Sequence, residues 1–210
     1  MHYNRMMQSI LIITTVFVVW AIIHSILADY HVKAWFRRRF GDGAYRGYRL
    51  GYNLFATLSF VPVYLAYVTL PDRYLWSAPD PWRWGLLGLQ AIGLVGLIVA
   101  VFHTRVGEFA GISQLTPGYD PDRSEPMRVT GLYCAVRHPI YFFGLVLVWF
   151  SPAISVNSLT IALLFTLYFY FGAIHEETSL QQEFGPAYDA YRRQVPMLIP
   201  RPRRCNSIRR

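Results

Sequence analysis

Charged residues are scarce in this chain of 210 residues. They make up 15% of the sequence, whereas hydrophobic residues make up 54%; a soluble domain carries about 25% charged residues. Long apolar runs without any Asp, Glu, Lys or Arg account for the difference. This composition excludes an ordinary water-soluble domain and predicts a protein that lies in a membrane.

Cysteine is also scarce, with only Cys134 and Cys205 in the chain. The two do not form a Cys-x-x-Cys pair, so neither a zinc site nor a redox pair is indicated, and we expect no metal site. A disulfide between them is not expected if both lie on the cytoplasmic side, where thiols are kept reduced.

Five apolar runs cover residues 9–28, 51–70, 84–103, 139–150 and 154–174. About 20 residues are needed to cross the hydrocarbon core, and all but the fourth run meet that length. The fourth and fifth runs form a helical hairpin that either just spans or dips in and returns. We predict a single domain over residues 1–210. Its fold class is all-α, a polytopic membrane helix bundle of about five transmembrane helices with a C-terminal cytoplasmic helical segment.

The first run could be mistaken for a signal peptide. It is longer than the apolar core of such a peptide, which is roughly 7–15 residues, and a basic segment follows it directly. We therefore expect it to be a retained helix.

Basic residues give the formal charge of +8 and alternate between the connections of the runs. All but Arg5, Arg73 and Arg83 lie in residues 29–49, 104–138 or the tail after 174. Cytoplasmic connections of membrane proteins collect Lys and Arg. We therefore place the N-terminus outside and the C-terminus in the cytoplasm, and we expect no nucleic-acid partner.

Polar residues gather at the ends of the runs on the predicted cytoplasmic side. They are His24, Asn53, His103, Arg137, His138, His175, Glu176 and Glu177. One interpretation is that they simply end helices at the interface, where polar residues are common. A haem or quinone site that uses His24 and His103 is a further alternative.

The most specific pattern lies in residues 130–200. It consists of Thr130-Gly131-Leu132-Tyr133, Arg137-His138-Pro139-Ile140-Tyr141, Gly144, Glu176-Glu177, Leu180, Phe184-Gly185, Tyr188, Tyr191 and Val195-Pro196. The pattern resembles the isoprenylcysteine carboxyl methyltransferase family and its bacterial relatives, which include methanethiol S-methyltransferase-like proteins and phospholipid N-methyltransferases. A weaker likeness in His24-Ser25, Lys33, Tyr45-Arg46 and Tyr52-Asn53 is similar to the thiol methyltransferase and nitric-oxide-associated branch.

The resemblance implies an S-adenosylmethionine-dependent methyltransferase of the bacterial inner membrane, whose cofactor-binding part is about residues 104–200. The acceptor would be lipophilic or a small thiol or carboxylate, with membrane lipids as neighbours. A non-catalytic or transport-type protein with the same fold is the alternative. No strand followed by a glycine-rich loop and a helix is present, so the cofactor site must be built from helix ends and the C-terminal segment.

The chemistry of the cofactor suggests a role for each motif residue. Arg137 and His138 can donate to its carboxylate, and Pro139 suits a helix start, where backbone N–H groups attract anions. Glu176 and Glu177 can face its ammonium or sulfonium group. Stacking on adenine or covering a cation is expected of the tyrosines Tyr133, Tyr141, Tyr188 and Tyr191.

Arg137 and Glu176 are the predicted catalytic residues. Glu176, Glu177 or a histidine could take a proton from the acceptor. We also expect residues 176–200 to close over the cofactor. In the alternative interpretation, the glutamates form a solvated helix end and the tyrosines an interfacial belt.

Overall fold

Helices dominate the computed structural model, which describes residues 2–120, 127 and 129–202. They are α1 His2–Ala28, α2 Tyr30–Ser59, α3 Val61–Thr69, α4 Trp82–Phe102, α5 Val106–Ala110, α6 Pro139–Trp149, α7 Val156–Phe184 and α8 Pro186–Gln194. Two short strands, β1 Tyr74–Ser77 and β2 Ala153–Ser155, pair with each other. Two 3₁₀ turns lie at Ser113–Leu115 and Gly131–Cys134. The all-α prediction is confirmed.

Four helical stretches of the described chain are long and apolar enough to cross a membrane. They are Asn4–Ala28, Tyr30–Thr69, Trp82–Phe102 and Val156–Phe184. The fourth apolar run corresponds to α6, which has only 11 residues. The chain is therefore an integral membrane protein, as its composition predicts.

The first of two compact units takes in the described parts of Met1–Tyr74, Arg105–Arg123 and Ser155–Ile161. In this unit α1 packs against α2 and α3. Asp29 separates α1 from α2, because its side chain accepts a hydrogen bond from His31 N at 2.8 Å and so caps α2. The α2 backbone leaves helical geometry at Gly41, where φ is 79°, a value that favours glycine.

The apolar run over residues 51–70 is not one helix. It covers the end of α2 and all of α3, with Phe60 between them and Pro62 in the first turn of α3. Proline suits that position because its missing N–H would have no partner there. Hydropathy is continuous across the junction and does not indicate the break.

The second unit takes in the described parts of Leu75–Thr104, Ser124–Ile154 and Ala162–Arg210. Here α4 packs closely against α6. A Cβ atom at Gly96 would lie 2.3 Å from the Phe143 ring, and one at Gly93 would lie 3.0 Å from Val146 Cγ1. Small residues thus let the two helices approach, as is usual in membranes.

The helix α7 continues ten residues beyond the fifth apolar run, to Phe184. Glu176 and Glu177 come just after the end of the fifth apolar run in the sequence. In the structure both lie within α7. Residues that favour helical structure continue up to Gly185. Its φ of 52° ends α7, and Pro186 then begins α8.

The tail of the chain packs inside the second unit. Tyr188, Tyr191 and Val195 are buried, and they pack against Met127, Val129, Leu180 and Phe184. These tail residues therefore contribute to the core of the second unit.

Candidate functional site

Arg137 and His138 stand immediately before α6, where the tail runs alongside them. Arg137 N donates to Pro196 O at 2.9 Å, and His138 N donates to Met197 O at 3.2 Å. Arg201 N in turn donates to Ala135 O at 2.9 Å. These backbone bonds fix the tail against the Arg-His motif over several residues.

The Arg137 side chain is engaged by acceptors of the protein. Its Nε donates to Glu177 Oε1 at 2.7 Å, and its Nη2 lies 2.7 Å from the same oxygen. Its Nη1 donates to the carbonyls of Arg192 at 3.0 Å and Val195 at 2.5 Å. The two charged side chains are about nine-tenths buried. Arg137 thus joins α6, α7 and the tail.

His138 lies between the two glutamates. Its Nε2 is 3.3 Å from Glu177 Oε1, and its Nδ1 is 3.4 Å from Glu176 Oε2. The imidazole is buried and stacks on the Tyr141 ring at a centroid distance of 5.3 Å. Tyr141 donates its hydroxyl to Glu176 Oε2 at 2.9 Å.

The two glutamates differ sharply in their surroundings. Glu177 is buried and paired with Arg137, whereas half of the Glu176 side chain is exposed. Adjacent residues of a helix point about 100° apart, so one carboxylate faces the protein while its neighbour faces outward. Glu176 is therefore the carboxylate that an incoming molecule can reach.

Three tyrosines complete the predicted set. Burial, together with the Glu176 charge, raises the pKa of Tyr133 to about 12. Burial, with the Glu177 charge next, raises the pKa of Tyr188 to about 12, and burial also raises the pKa of Tyr191. All three phenols are therefore neutral at physiological pH and can donate hydrogen bonds.

The hydroxyl groups of Tyr188 and Tyr191 are used differently. Tyr191 donates to Tyr133 O at 2.7 Å. The Tyr188 hydroxyl is buried and has no hydrogen-bond partner among the described residues. A buried polar group without a partner is unfavourable and calls for an explanation.

All eight residues predicted for the site lie in the second unit. Direct contacts link Arg137, Glu177, His138, Glu176 and Tyr141 into one cluster. Tyr133 and Tyr191 are joined to each other, and the charges of Arg137, Glu177 and Glu176 act on Tyr188. Binding of a cofactor by these residues stays a prediction.

The turn Gly131–Cys134 includes a residue whose role the sequence did not suggest. A Cβ atom on Gly131 would lie 2.0 Å from the His103 ring, so this position admits only glycine without a shift of the imidazole. Cys134 is buried and forms a disulfide, so the expectation of reduced thiols is wrong for this residue. Cys205 lies outside the residues that the structure describes.

The histidines of the haem alternative have other contacts. His24 Nε2 is 2.7 Å from the Tyr52 hydroxyl in the first unit. His103 Nδ1 is 2.7 Å from Val99 O in the second unit. Asn53 donates to the carbonyls of Phe109 and Ala110 and so holds α5 against α2.

An apolar groove of about 640 Å³ runs along α6. Its lining comes from one side of α6, from Tyr170 and from residues 196–199 of the tail. Met197 lines the groove and also accepts the backbone hydrogen bond of His138. The groove therefore adjoins the motif that carries the charged cluster.

Comparisons with known proteins agree with the sequence resemblance. The profile of the family described as NnrU protein matches residues 12–195. A protein named methanethiol S-methyltransferase 1 from Bradyrhizobium diazoefficiens is 29% identical over 196 residues, which cover 92% of this chain and 67% of that protein.

Two further relatives widen the group. The methanethiol S-methyltransferase of Mycobacterium tuberculosis is 29% identical over 203 residues, 94% of this chain and 80% of the relative. Nurim from Mus musculus is 29% identical over 155 residues, 69% of this chain and 58% of the relative. No solved structure matches the chain significantly. The family resemblance inferred from the sequence is confirmed.

Proposed function

Because this chain belongs to the NnrU protein family, we propose that it is an integral membrane methyltransferase that uses S-adenosylmethionine. Several of its relatives are named methanethiol S-methyltransferase. The observation that carries the proposal is the cluster in which Glu177 holds Arg137 and His138 while Glu176 stands exposed beside them. The reaction takes place at the cytoplasmic face of a bacterial inner membrane, with the N-terminus outside.

The residues of the cluster suit a cationic methyl donor. S-adenosylmethionine supplies a methyl group that is activated by a positively charged sulfur. Glu176 offers an exposed carboxylate, and the Tyr141 hydroxyl and the His138 ring fix its position. A fixed carboxylate attracts a cation without the reorganisation that water would need.

Tyr188 supports the fit of the cofactor to this region. Its buried hydroxyl has no partner among the described residues, and its phenol stays neutral because its pKa is raised to about 12. A polar group of a bound cofactor would satisfy this hydroxyl. Tyr133 and Tyr141 add aromatic surface that can stack on adenine.

Arg137 acts chiefly as a positioning residue in this proposal. Its Nε and Nη1 groups are directed at Glu177 and at two backbone carbonyls. It therefore sets the position of Glu177, and through Glu177 that of His138. A hydrogen bond from Arg137 to a cofactor carboxylate would come in addition to this positioning role.

The acceptor is lipophilic or a small thiol or carboxylate. The groove along α6 is almost entirely apolar in its lining, so it favours an acceptor that partitions into the membrane. A carboxylate needs no base, whereas a thiol must lose its proton before transfer. Glu176 is the exposed carboxylate of the cluster, and we assign this proton to it.

Calorimetry on the protein in detergent tests the proposal. S-adenosylhomocysteine should bind at one saturable site, and a methyl donor with a labelled methyl group should label one member of a panel of thiols, isoprenoid acids and phospholipid amines. Absence of binding in folded protein would contradict the proposal. A haem absorption band would instead favour the alternative of a haem protein.

A further inference from the structure

The first unit contains a second cavity, of about 150 Å³, that the proposed methyltransferase chemistry does not use. Three cationic side chains of α2 line it, those of Lys33, Arg46 and Arg49. All three are half-buried. None of the residues that line the cavity carries a carboxylate. Three positive charges therefore meet at one concave surface without a negative charge in the lining.

The three cations are poorly compensated within the described part of the chain. Arg46 Nη2 donates to Tyr119 O at 3.4 Å, and Arg49 Nε donates to Phe109 O at 3.2 Å. Both partners are backbone carbonyls rather than carboxylates. Lys33 forms neither an ion pair nor a side-chain hydrogen bond with any described residue. Partial burial of such charges is unfavourable unless an anion accompanies them.

Two acidic residues of the region have other partners, although the Asp29 charge also acts on Lys33. Asp29 lies one turn before Lys33, and its carboxylate caps α2 through His31 N. Glu108 pairs with Arg105 at 3.2 Å. These carboxylates lower the positive potential of the region, but neither lines the cavity.

The wall of the cavity is held in a fixed shape. Gly111 approaches the backbone of Leu50 so closely that an added Cβ would lie 2.4 Å from Leu50 N. Asn53 donates to Phe109 O and Ala110 O and holds the same segment. The Tyr48 hydroxyl donates to Leu27 O at 2.7 Å. The cationic side chains are therefore presented by a preformed frame.

An unsatisfied acceptor also lies in the lining. Gln114 Oε1 is buried and has no hydrogen-bond partner in the described residues, although the amide nitrogen of the same side chain donates to Glu108 O. An oxygen that needs a donor beside three cations suits an anion that carries a hydroxyl group. A protonated phosphate or a hydroxylated phosphate ester has this chemistry.

We propose that this cavity binds a phosphate group, supplied either by the headgroup of an anionic phospholipid or by a soluble phosphate. Lys33, Arg46 and Arg49 contact its oxygens, and Gln114 accepts a hydrogen bond from its hydroxyl. Basic pockets beside membrane helices commonly hold anionic headgroups. The proposal does not depend on methyl transfer, because none of these residues belongs to the cluster of the second unit.

The sequence offers a direct probe, because Lys33 is the one lysine of the chain. An amine-reactive ester on the protein in detergent modifies this side chain, and peptide mass spectrometry measures the rate. We expect short-chain phosphatidylglycerol or inorganic phosphate to slow the modification about tenfold at saturation, as one charge-assisted contact would. Phosphatidylcholine and sodium chloride at equal ionic strength should not slow it.

The two arms identify the source of the phosphate. Protection by the lipid alone indicates a headgroup, and protection by inorganic phosphate indicates a soluble ligand. Absence of protection in both arms overturns the proposal. Protection by S-adenosylhomocysteine alone also overturns it, since the cavity would then belong to the cofactor.

Matched variants separate this site from general surface charge. Arg46→Gln should raise the concentration of ligand needed for half-protection about tenfold, whereas Arg46→Lys should restore most of the protection. Arg38→Gln removes the same charge from an exposed position of α2 that does not line the cavity and should change nothing. If Arg46→Gln and Arg38→Gln weakened the protection of Lys33 equally, the proposal would be contradicted. Melting temperatures establish that each variant is folded. If a variant does not fold, the protection of Lys33 in the original sequence by phosphate or lipid decides whether the site exists.

Discussion

Arg137 and Glu177, 40 residues apart in the sequence, form a buried ion pair in which Arg137 Nη2 lies 2.7 Å from Glu177 Oε1. The same guanidinium holds the carbonyls of Arg192 and Val195. One side chain thus connects the segment before α6, the C-terminal third of α7 and the end of α8. The arrangement of the whole cluster depends on this pair.

Glu177→Gln should destabilise the protein strongly. Removal of one partner of a buried pair leaves an uncompensated charge and typically lowers the free energy of unfolding by about 3–5 kcal/mol. Thermal melting in detergent measures the effect. Glu183→Gln is the control, because Glu183 is exposed on the same helix, and it should melt like the unmodified protein. Equal melting of the two variants would show that the pair contributes nothing.

Glu176→Gln should behave in the opposite way. Half of the Glu176 side chain is exposed, so its melting temperature should hardly change. In the proposed function its charge faces a cationic cofactor, and loss of one charge-assisted contact weakens affinity roughly tenfold or more. Calorimetry with S-adenosylmethionine, which carries the sulfonium charge, tests this, and unchanged affinity would place the cofactor elsewhere.

The sequence predicts which residues form the cluster but not which of them are buried and which are exposed. The Arg-His-Pro and Glu-Glu motifs indicate that these side chains meet. Nothing in two adjacent glutamates shows that Glu177 is buried and Glu176 is not, because this depends on how α7 is rotated. Backbone carbonyls such as those of Arg192 and Val195 leave no trace in the residue types, so the main partners of Arg137 could not be foreseen.

The fold, too, could be predicted from the sequence only in part. Apolar length predicts an all-α membrane protein, because hydropathy reports what the lipid requires. The break at Phe60 and the extension of α7 to Phe184 are decided by local packing and by Gly185. A hydropathy profile contains neither signal.

Tyr188→Phe should leave stability at neutral pH unchanged or slightly raised. The variant removes a buried hydroxyl that has no partner among the described residues, and removal of such a group eliminates an unfavourable burial. Tyr191→Phe is the contrast, since it loses the bond to Tyr133 O and should lose about 1 kcal/mol of unfolding free energy. If the Tyr188 hydroxyl serves the cofactor, Tyr188→Phe alone should weaken S-adenosylhomocysteine binding.

Alkaline pH should unfold the second unit through its tyrosines. The pKa of Tyr188 is raised to about 12, whereas its value in the unfolded chain is 10.0. The folded state therefore binds more protons than the unfolded state between these values, and stability falls as pH rises through the window. Below pH 10 the contribution is fully present. Melting temperatures from pH 8 to 12 should fall less steeply in Tyr188→Phe, and identical slopes would contradict the assignment.

Gly96→Ala should disrupt the contact of α4 with α6. The added Cβ would lie 2.3 Å from the Phe143 ring, and overpacking of this kind costs about 1–3 kcal/mol. Gly88→Ala is the matched control on the same helix, because nothing lies within 4 Å of its Cβ position. Combining Gly96→Ala with Phe143→Leu should recover stability. Equal melting temperatures of Gly96→Ala and Gly88→Ala would show that this approach is unimportant.

The two termini should lie on opposite sides of the membrane even though α6 is short. Its 11 residues rise only about 16 Å, roughly half of a hydrocarbon core of about 30 Å. However, α6 runs antiparallel to α4, since Gly96 faces Phe143 and Gln90 donates to Leu147 O at 2.9 Å. Beyond its end, Ala78 N donates to Pro152 O at 2.8 Å.

That bond joins the connection after α6 to the connection before α4, so both lie at one face of the membrane. We therefore predict that the chain changes sides between Arg137 and Pro152 and that α7 returns it. An impermeant label should reach an N-terminal tag and Asp80→Cys in spheroplasts, and a C-terminal tag only in inverted vesicles. Access to both tags from one side would mean that α6 dips into the bilayer and returns, because four crossings leave the termini together.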